Sequence, residues 1–177
     1  MKKYEIIEAT NEDGSKTIAI SFNEGVKKIV YKDLHKLHRY WLLPKAGVES
    51  ATIVQIPDGV VEIGKNAFSS LRNVKTIIMP DTITHIGEGA FSDCTSLEKI
   101  KLPENLVELG SHAFLSCYNL KEVTIPRGVK EVKEKTFAYC RGLETLTIHS
   151  GTEIDKEAFE KYKPRVNVIT ENVRTRH

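Results

Sequence analysis

The sequence predicts an α/β solenoid: a right-handed superhelix of 23-residue coils with a parallel β-sheet on its concave face, closed on the N-terminal side by a β-hairpin and a helix. Three observations predict it. Pro57, Pro80, Pro103 and Pro126 recur at a constant spacing of 23, and Phe68, Phe91, Phe114 and Phe137 follow them by eleven. Between these markers the apolar columns hold: Val60, Ile83, Leu106 and Val129; Ile63, Ile86, Leu109 and Val132; Val74, Leu97, Leu120 and Leu143; Ile77, Ile100, Val123 and Leu146; Met79, Leu102, Ile125 and Ile148. A unit this short cannot bury its own apolar side chains, so a fixed period of this length means stacking.

Each coil divides into three parts. The segment before the proline, such as Leu97 to Pro103, alternates apolar and polar residues with the period of a half-buried strand. Equivalent strands of successive coils must then lie parallel, about 4.8 Å apart. The tripeptides that begin at each proline, Pro-Asp-Gly, Pro-Asp-Thr, Pro-Glu-Asn and Pro-Arg-Gly, are turn sequences, and three of them end in a residue that tolerates positive φ. A second short extended piece ends at Gly64, Gly87 and Gly110. The Ala-Phe segment after it suits one helical or 3-10 turn that drops the ring into the core.

The pattern Ile-Pro-x-x-Val-x-x-Ile-Gly-x-x-Ala-Phe-x-x-Cys-x-x-Leu-x-x-Val is carried in register by Ile56 to Met79, Met79 to Leu102 and Leu102 to Ile125. It resembles the BspA-like (Treponema-type) leucine-rich repeat family over residues 56 to about 160. The fourth copy departs with Lys133 for Gly and Thr136 for Ala, and a fifth, Ile148 to Phe159, lacks the proline and is one residue short. Decay of this kind is expected of a terminal coil that packs on one side only. The resemblance implies a protein-interaction module, a role that members of the family play in surface proteins where adhesion is proposed.

Upstream, a degenerate coil is expected. With Asn23 in the proline slot, Val26, Ile29, Leu34, Leu37, Tyr40 and Leu43 fall on apolar columns, and Ile20 and Phe22 on the preceding strand. The 34 residues from Asn23 to Pro57 exceed one period by eleven, and Leu34, Leu37 and Trp41 share a helical stripe, which predicts a helix over 32–43. Tyr4 to Ala9 and Lys16 to Phe22, joined through Asn11-Glu12-Asp13-Gly14, read as a hairpin that protects the open sheet edge. At the far end Tyr162 and a strand over 166–169 close the stack. The organisation is one structural domain: an N-terminal cap over 1–56, repeats over 57–160 and a C-terminal strand and tail over 161–177.

Nothing in the chain reads as an enzyme. Cys94, Cys117 and Cys140 occupy one repeat column that Leu71 fills in the first coil, which marks them as small buried side chains rather than ligands. A zinc site needs convergent tetrahedral donors, whereas a column supplies one thiol per coil. His35 and His38 have no third ligand arranged with them, and no nucleophile with its base, phosphate loop or carboxylate pair is apparent. No catalytic residue, metal or other cofactor is therefore expected. The N-terminus meets glutamates before any apolar run, so it does not read as a signal peptide, and no stretch approaches the roughly 20 apolar residues of a membrane helix. The expectation is a cytoplasmic monomer without membrane insertion; the alternative is a surface or secreted protein whose leader was removed.

Function is thus expected on surface columns. On the strand face the outward positions are Thr76 and Ile78, Lys99 and Lys101, Glu122 and Thr124, and Thr145 and Thr147, a platform for an unknown protein partner. The alternative lies in the degenerate coil, where Lys27, Lys28, Lys32, Lys36, Arg39 and Lys45 outnumber Asp33, with Tyr31, Tyr40 and Trp41 interleaved. Such a patch could grip a nucleic-acid backbone or another anionic surface. The net charge of +2 implies no polyanionic partner for the chain as a whole.

Overall fold

The computed structural model of the protein describes residues 4–14, 16–22, 28–29, 51–160 and 162–169. It is a parallel β-solenoid with two lines of strands. The first line holds β2 (Lys16–Phe22), β4 (Ala51–Gln55), β6 (Thr76–Ile78), β8 (Lys99–Ile100), β10 (Glu122–Thr124), β12 (Thr145–His149) and β14 (Arg165–Ile169). The second holds β3 (Lys28–Ile29), β5 (Glu62–Ile63), β7 (His85–Ile86), β9 (Glu108–Leu109), β11 (Glu131–Val132) and β13 (Glu153–Ile154). The register follows the period: Ile77 pairs with Ile100, Val123 with Leu146, and Ile63 with both Ile29 and Ile86. Between β8 and β10 the stack continues through the Lys121 N–H, which donates to the Glu98 carbonyl at 3.4 Å.

A third line of coil-to-coil bonds runs through the Ala-Phe segments. The N–H groups of Asn66, Phe68 and Ser70 donate to Glu88, Ala90 and Ser92 in the next coil at 2.9, 2.8 and 2.7 Å. Gly89, Phe91 and Asp93 repeat the pattern onto Ser111, Ala113 and Leu115. This geometry corrects the expected α/β class. Among the described residues there is no helix, because the amides that a helix would direct four residues back are spent on the neighbouring coil. Single i→i+3 turns survive, as from Ala67 N–H to Gly64 C=O at 3.2 Å. Positive φ recurs at Asn66, Gly89, His112 and Lys135, and again at Ser70, Asp93, Ser116 and Tyr139, so left-handed residues flank Phe68, Phe91, Phe114 and Phe137 and prevent helix propagation there. The expected left-handed residues at the proline turns reduce to Gly59, with φ 87°. The helix expected over 32–43 lies outside the described residues.

The core is the inside of this three-sided tube. Phe68, Phe91, Phe114, Phe137 and Phe159 form a continuous stack with centroid separations of 5.6, 5.4, 5.5 and 6.1 Å. Each near-parallel pair contributes roughly 0.5–1.5 kcal/mol beyond the burial of the rings. Phe159 joins although its coil is one residue short, and β13 absorbs the deletion by pairing Ile154 with Val132. Gly87 and Gly110 are there for contact rather than flexibility: a Cβ on Gly110 would stand 2.5 Å from the backbone of Gly87 and Glu88.

At the N-terminal end β1 (Tyr4–Thr10) pairs antiparallel with β2 through a turn in which Gly14 N–H donates to Asn11 C=O at 3.0 Å, and β2 lies parallel to β4. The hairpin thus extends the sheet as expected. One register differs, since Ile18 rather than Ile20 opposes Val54, and a shift between Lys16 and Thr17 accompanies it. The displacement is two residues, which leaves the alternation in phase. At the other end β14 pairs with β12, as expected of a closing strand.

Charged side chains reinforce the register on the outside. Lys75 meets Glu98 at 3.3 Å, Lys65 meets Glu88 at 2.8 Å, and Lys133 reaches back to Glu108 at 2.8 Å. The bond from Lys133, and then its charge, hold the Glu108 carboxyl below the usual carboxylate value. That stabilisation is full above about pH 4.5, the ordinary Glu value. It is lost as pH falls through the depressed native value. The side chains are 51% and 36% exposed, so solvent reduces the pair to a few tenths of a kcal/mol. Lys133→Met should therefore destabilise the protein by about 0.3–0.5 kcal/mol at pH 7, with the difference closing below pH 3; a pH-independent difference in urea melts would refute the pairing.

The glycine contacts generate a larger effect. Gly110→Ala should cost about 2–3 kcal/mol, because coils must part. Gly59→Ala, with nothing within 4 Å of its Cβ and only a positive φ to strain, should cost about 1 kcal/mol. Equal losses in denaturant unfolding would show that the coils are not held at this separation.

Candidate functional site

The strand face is built by alternation. Ile77, Val123 and Leu146 point into the core and are buried, with Ile100 partly so, which forces their neighbours outward. Ile78, Lys99, Lys101, Glu122 and Thr124 are exposed, and Thr76, Thr145 and Thr147 are half-buried. Register sets them in two rows: Thr76 beside Lys99 and Glu122 beside Thr145 in one, Thr124 beside Thr147 in the other. All eight sequence-predicted residues therefore share one surface. Its chemistry is hydroxyl and charge around one apolar side chain, Ile78, which is 47% exposed. Lys101 spends part of its charge on Glu104 at 3.5 Å.

The basic alternative is not brought together on the described residues. Lys28 lies in β3, opposite Glu62 of β5. Lys27, Lys32, Lys36 and Arg39 lie outside the described residues.

The cysteine column faces inward. Cys94, Cys117 and Cys140 are buried and free, and their Sγ–H groups donate to the carbonyls of Phe68, Phe91 and Phe114 at 3.3, 3.3 and 3.0 Å. Burial pushes the Cys94 thiol up to about 12 and raises Cys117 well above the usual thiol range. Such thiols are poor nucleophiles and poor metal ligands, since both tasks need the thiolate. Among the described residues no three His, Cys, Asp or Glu side chains are grouped to hold a metal ion, and no helix is long and apolar enough to cross a membrane.

One cluster is absent from the sequence reading. Tyr118, Tyr139 and Tyr162 are exposed near the C-terminal end, and the Arg141 guanidinium lies over two of them, 5.4 Å from the centroid of Tyr118 and 5.7 Å from that of Tyr162. Half of the signal was available, because Tyr118 and Arg141 are one period apart. Tyr162 was masked by the missing residue, which moves it into the cysteine slot: its N–H donates to Phe159 C=O as that of Cys140 does to Phe137.

Comparison with known proteins places this architecture. The profile described as a BspA type leucine rich repeat region matches residues 46–164 in six copies. Among solved structures, a leucine rich cell surface protein from Faecalibacterium prausnitzii aligns with a TM-score of 0.65 at 24% identity, covering 98% of this chain and 41% of that one. The pneumococcal vaccine antigen PcpA aligns at 0.57 and 20% identity, covering 97% and 49%. A leucine-rich repeat protein from Eubacterium ventriosum aligns at 0.53 and 22%, covering 83% and 42%. The chain thus spans less than half the length of each, and at these identities the likeness shows the fold. A comparison with curated proteins returned no match.

The burial of the thiols gives a direct measurement. All three should react slowly with Ellman's reagent in native buffer at pH 8 and at once in denaturant, because reaction must wait for opening of the coil. Rapid native labelling of all three would show that the column does not face the core.

Proposed function

Because the chain belongs to the BspA-type leucine-rich repeat family, and its strand face is formed by side chains the core does not use, we propose that it is a non-enzymatic module that binds a protein partner through that face. The observation that carries this reading is the division of labour along β6, β8, β10 and β12. Inward residues are fixed by stacking, while Thr76, Ile78, Lys99, Lys101, Glu122, Thr124, Thr145 and Thr147 are free to vary without cost to the fold. Parallel rows of lysine, glutamate and threonine offer donors, acceptors and both charge signs at fixed spacings, which favours recognition of a polar protein surface over an apolar ligand. The likeness to a cell surface protein and to a vaccine antigen supports work at a cell surface, with adhesion as the form binding would take there. The protein acts as a single copy in this reading.

The test compares two charge reversals. Lys99→Glu with Lys101→Glu alters the middle of the face and leaves the core intact. A partner recovered from the source cell should lose about tenfold or more in affinity for this variant and keep its affinity for Lys28→Glu with Lys36→Glu and Arg39→Glu. The opposite outcome, with binding that falls steeply as salt rises, would instead assign the function to a nucleic acid or another polyanion on the basic segment.

A further inference from the structure

The tyrosine and arginine cluster is not required by the repeat. At the position of Tyr139 the earlier coils carry Ser70, Asp93 and Ser116, and all four residues have positive φ. Aspartate is among the side chains enriched in that conformation, whereas a bulky residue there is an outlier. At the position of Tyr118 and Arg141 the earlier coils carry Arg72 and Thr95. Three exposed rings have thus accumulated in the last coils, one of them on backbone that opposes it. Exposures of 41%, 39% and 38% show that Tyr118, Tyr139 and Tyr162 do not serve the core.

The backbone brings the guanidinium within cation–π reach of both rings. Gly142 N–H donates to Tyr118 C=O at 2.9 Å, and a Cβ on Gly142 would stand 2.6 Å from that oxygen, so only glycine allows the approach that sets Arg141 over Tyr118. Arg141 N–H donates to Tyr139 C=O at 2.8 Å. None of the ion pairs among the described residues uses Arg141, although exposed lysines elsewhere in the fold find glutamates. The acid beside Tyr139, Glu160, raises that phenol above its usual value.

We infer that Arg141, held over the rings of Tyr118 and Tyr162, is a binding site for a carboxylate on an acidic segment of a partner protein. A guanidinium within cation–π range of two rings still has N–H donors to offer an acceptor, and a carboxylate matches that planar fork with two parallel bonds. The rings restrict the rotamers of the arginine before binding and shield the bonds from water afterwards. Tyrosine and arginine are among the residues that most often dominate interface energetics, and the eight strand-face residues proposed above include neither. The site therefore stands apart from the function proposed above, on a different part of each coil.

The test is an NMR titration of the full chain, reading the Arg141 Nε–H resonance. The probes are a blocked hexapeptide with two central glutamates, its glutamine counterpart and inorganic phosphate. The glutamate peptide should give a saturable shift at Arg141, with at least tenfold weaker binding of the glutamine peptide and of phosphate. Arg141→Lys, which keeps the charge but not the flat fork, should weaken the glutamate peptide about tenfold. Tyr118→Ala should weaken it as well with the fold retained, whereas Lys99→Glu with Lys101→Glu should leave it unchanged. No shift, an equal shift with glutamine, tighter binding of phosphate or full binding by Arg141→Lys would each overturn the assignment.

Discussion

Everything in this solenoid depends on the spacing imposed by hydrogen bonds between successive coils. Backbone bonds tie each repeated coil to its neighbours: the Ala-Phe turns supply them at every junction, and short parallel strands add two further lines except where pairing lapses from β8 and β9 to β10 and β11. Whatever one coil places inside must then sit directly beneath its equivalent in the next. That is why the phenylalanines recur and their rings lie nearly parallel at about one strand spacing. It is also why Gly110 must lack a side chain above Gly87. The period is a consequence of this constraint rather than a separate property of the sequence.

The same constraint explains what could be read in advance. Columns of identical residues carry the strand register, the inward thiols and the outward face, because parallel stacking maps sequence period directly onto position. The two lines of left-handed residues could not be read. They are held by side chains as unlike as Asn66, Ser116, Lys135 and Tyr139, and coil-to-coil bonding rather than local propensity imposes their conformation. For that reason the turns looked compatible with helix. Where the period is broken, inference from columns also breaks: one missing residue hid the meeting of Tyr162 with Arg141, and β2 pairs with β4 two residues out of the expected register. On the strand face, position was legible and purpose was not, because any polar residue satisfies an outward slot.

The solenoid separates the residues that build it from those available for recognition. Inward columns mostly exchange one apolar residue for another, as Leu71 for cysteine shows, and Thr136, buried in the alanine column, satisfies its hydroxyl on the Lys133 carbonyl. Outward columns share no such bond, and their composition differs from coil to coil, from Thr76 and Lys99 to Glu122 and Thr145. Chemistry can therefore be concentrated locally without disturbing the rest, and the C-terminal coils do so with tyrosine and arginine. A surface assembled in this way grows by duplication and diverges by substitution at the exposed slots alone.

The ladder bonds run along the stack, across the strands, and this orientation has a mechanical meaning. Tension applied between the two ends of the tube falls on the bonds between one pair of coils at a time, so the structure yields like a zip rather than like a sheet in shear. Each released coil of 23 residues pays out roughly 80 Å of extended chain. A repeat protein under load in this direction is an extensible tether that gives way in steps of constant length while the coils not yet reached keep their surface intact.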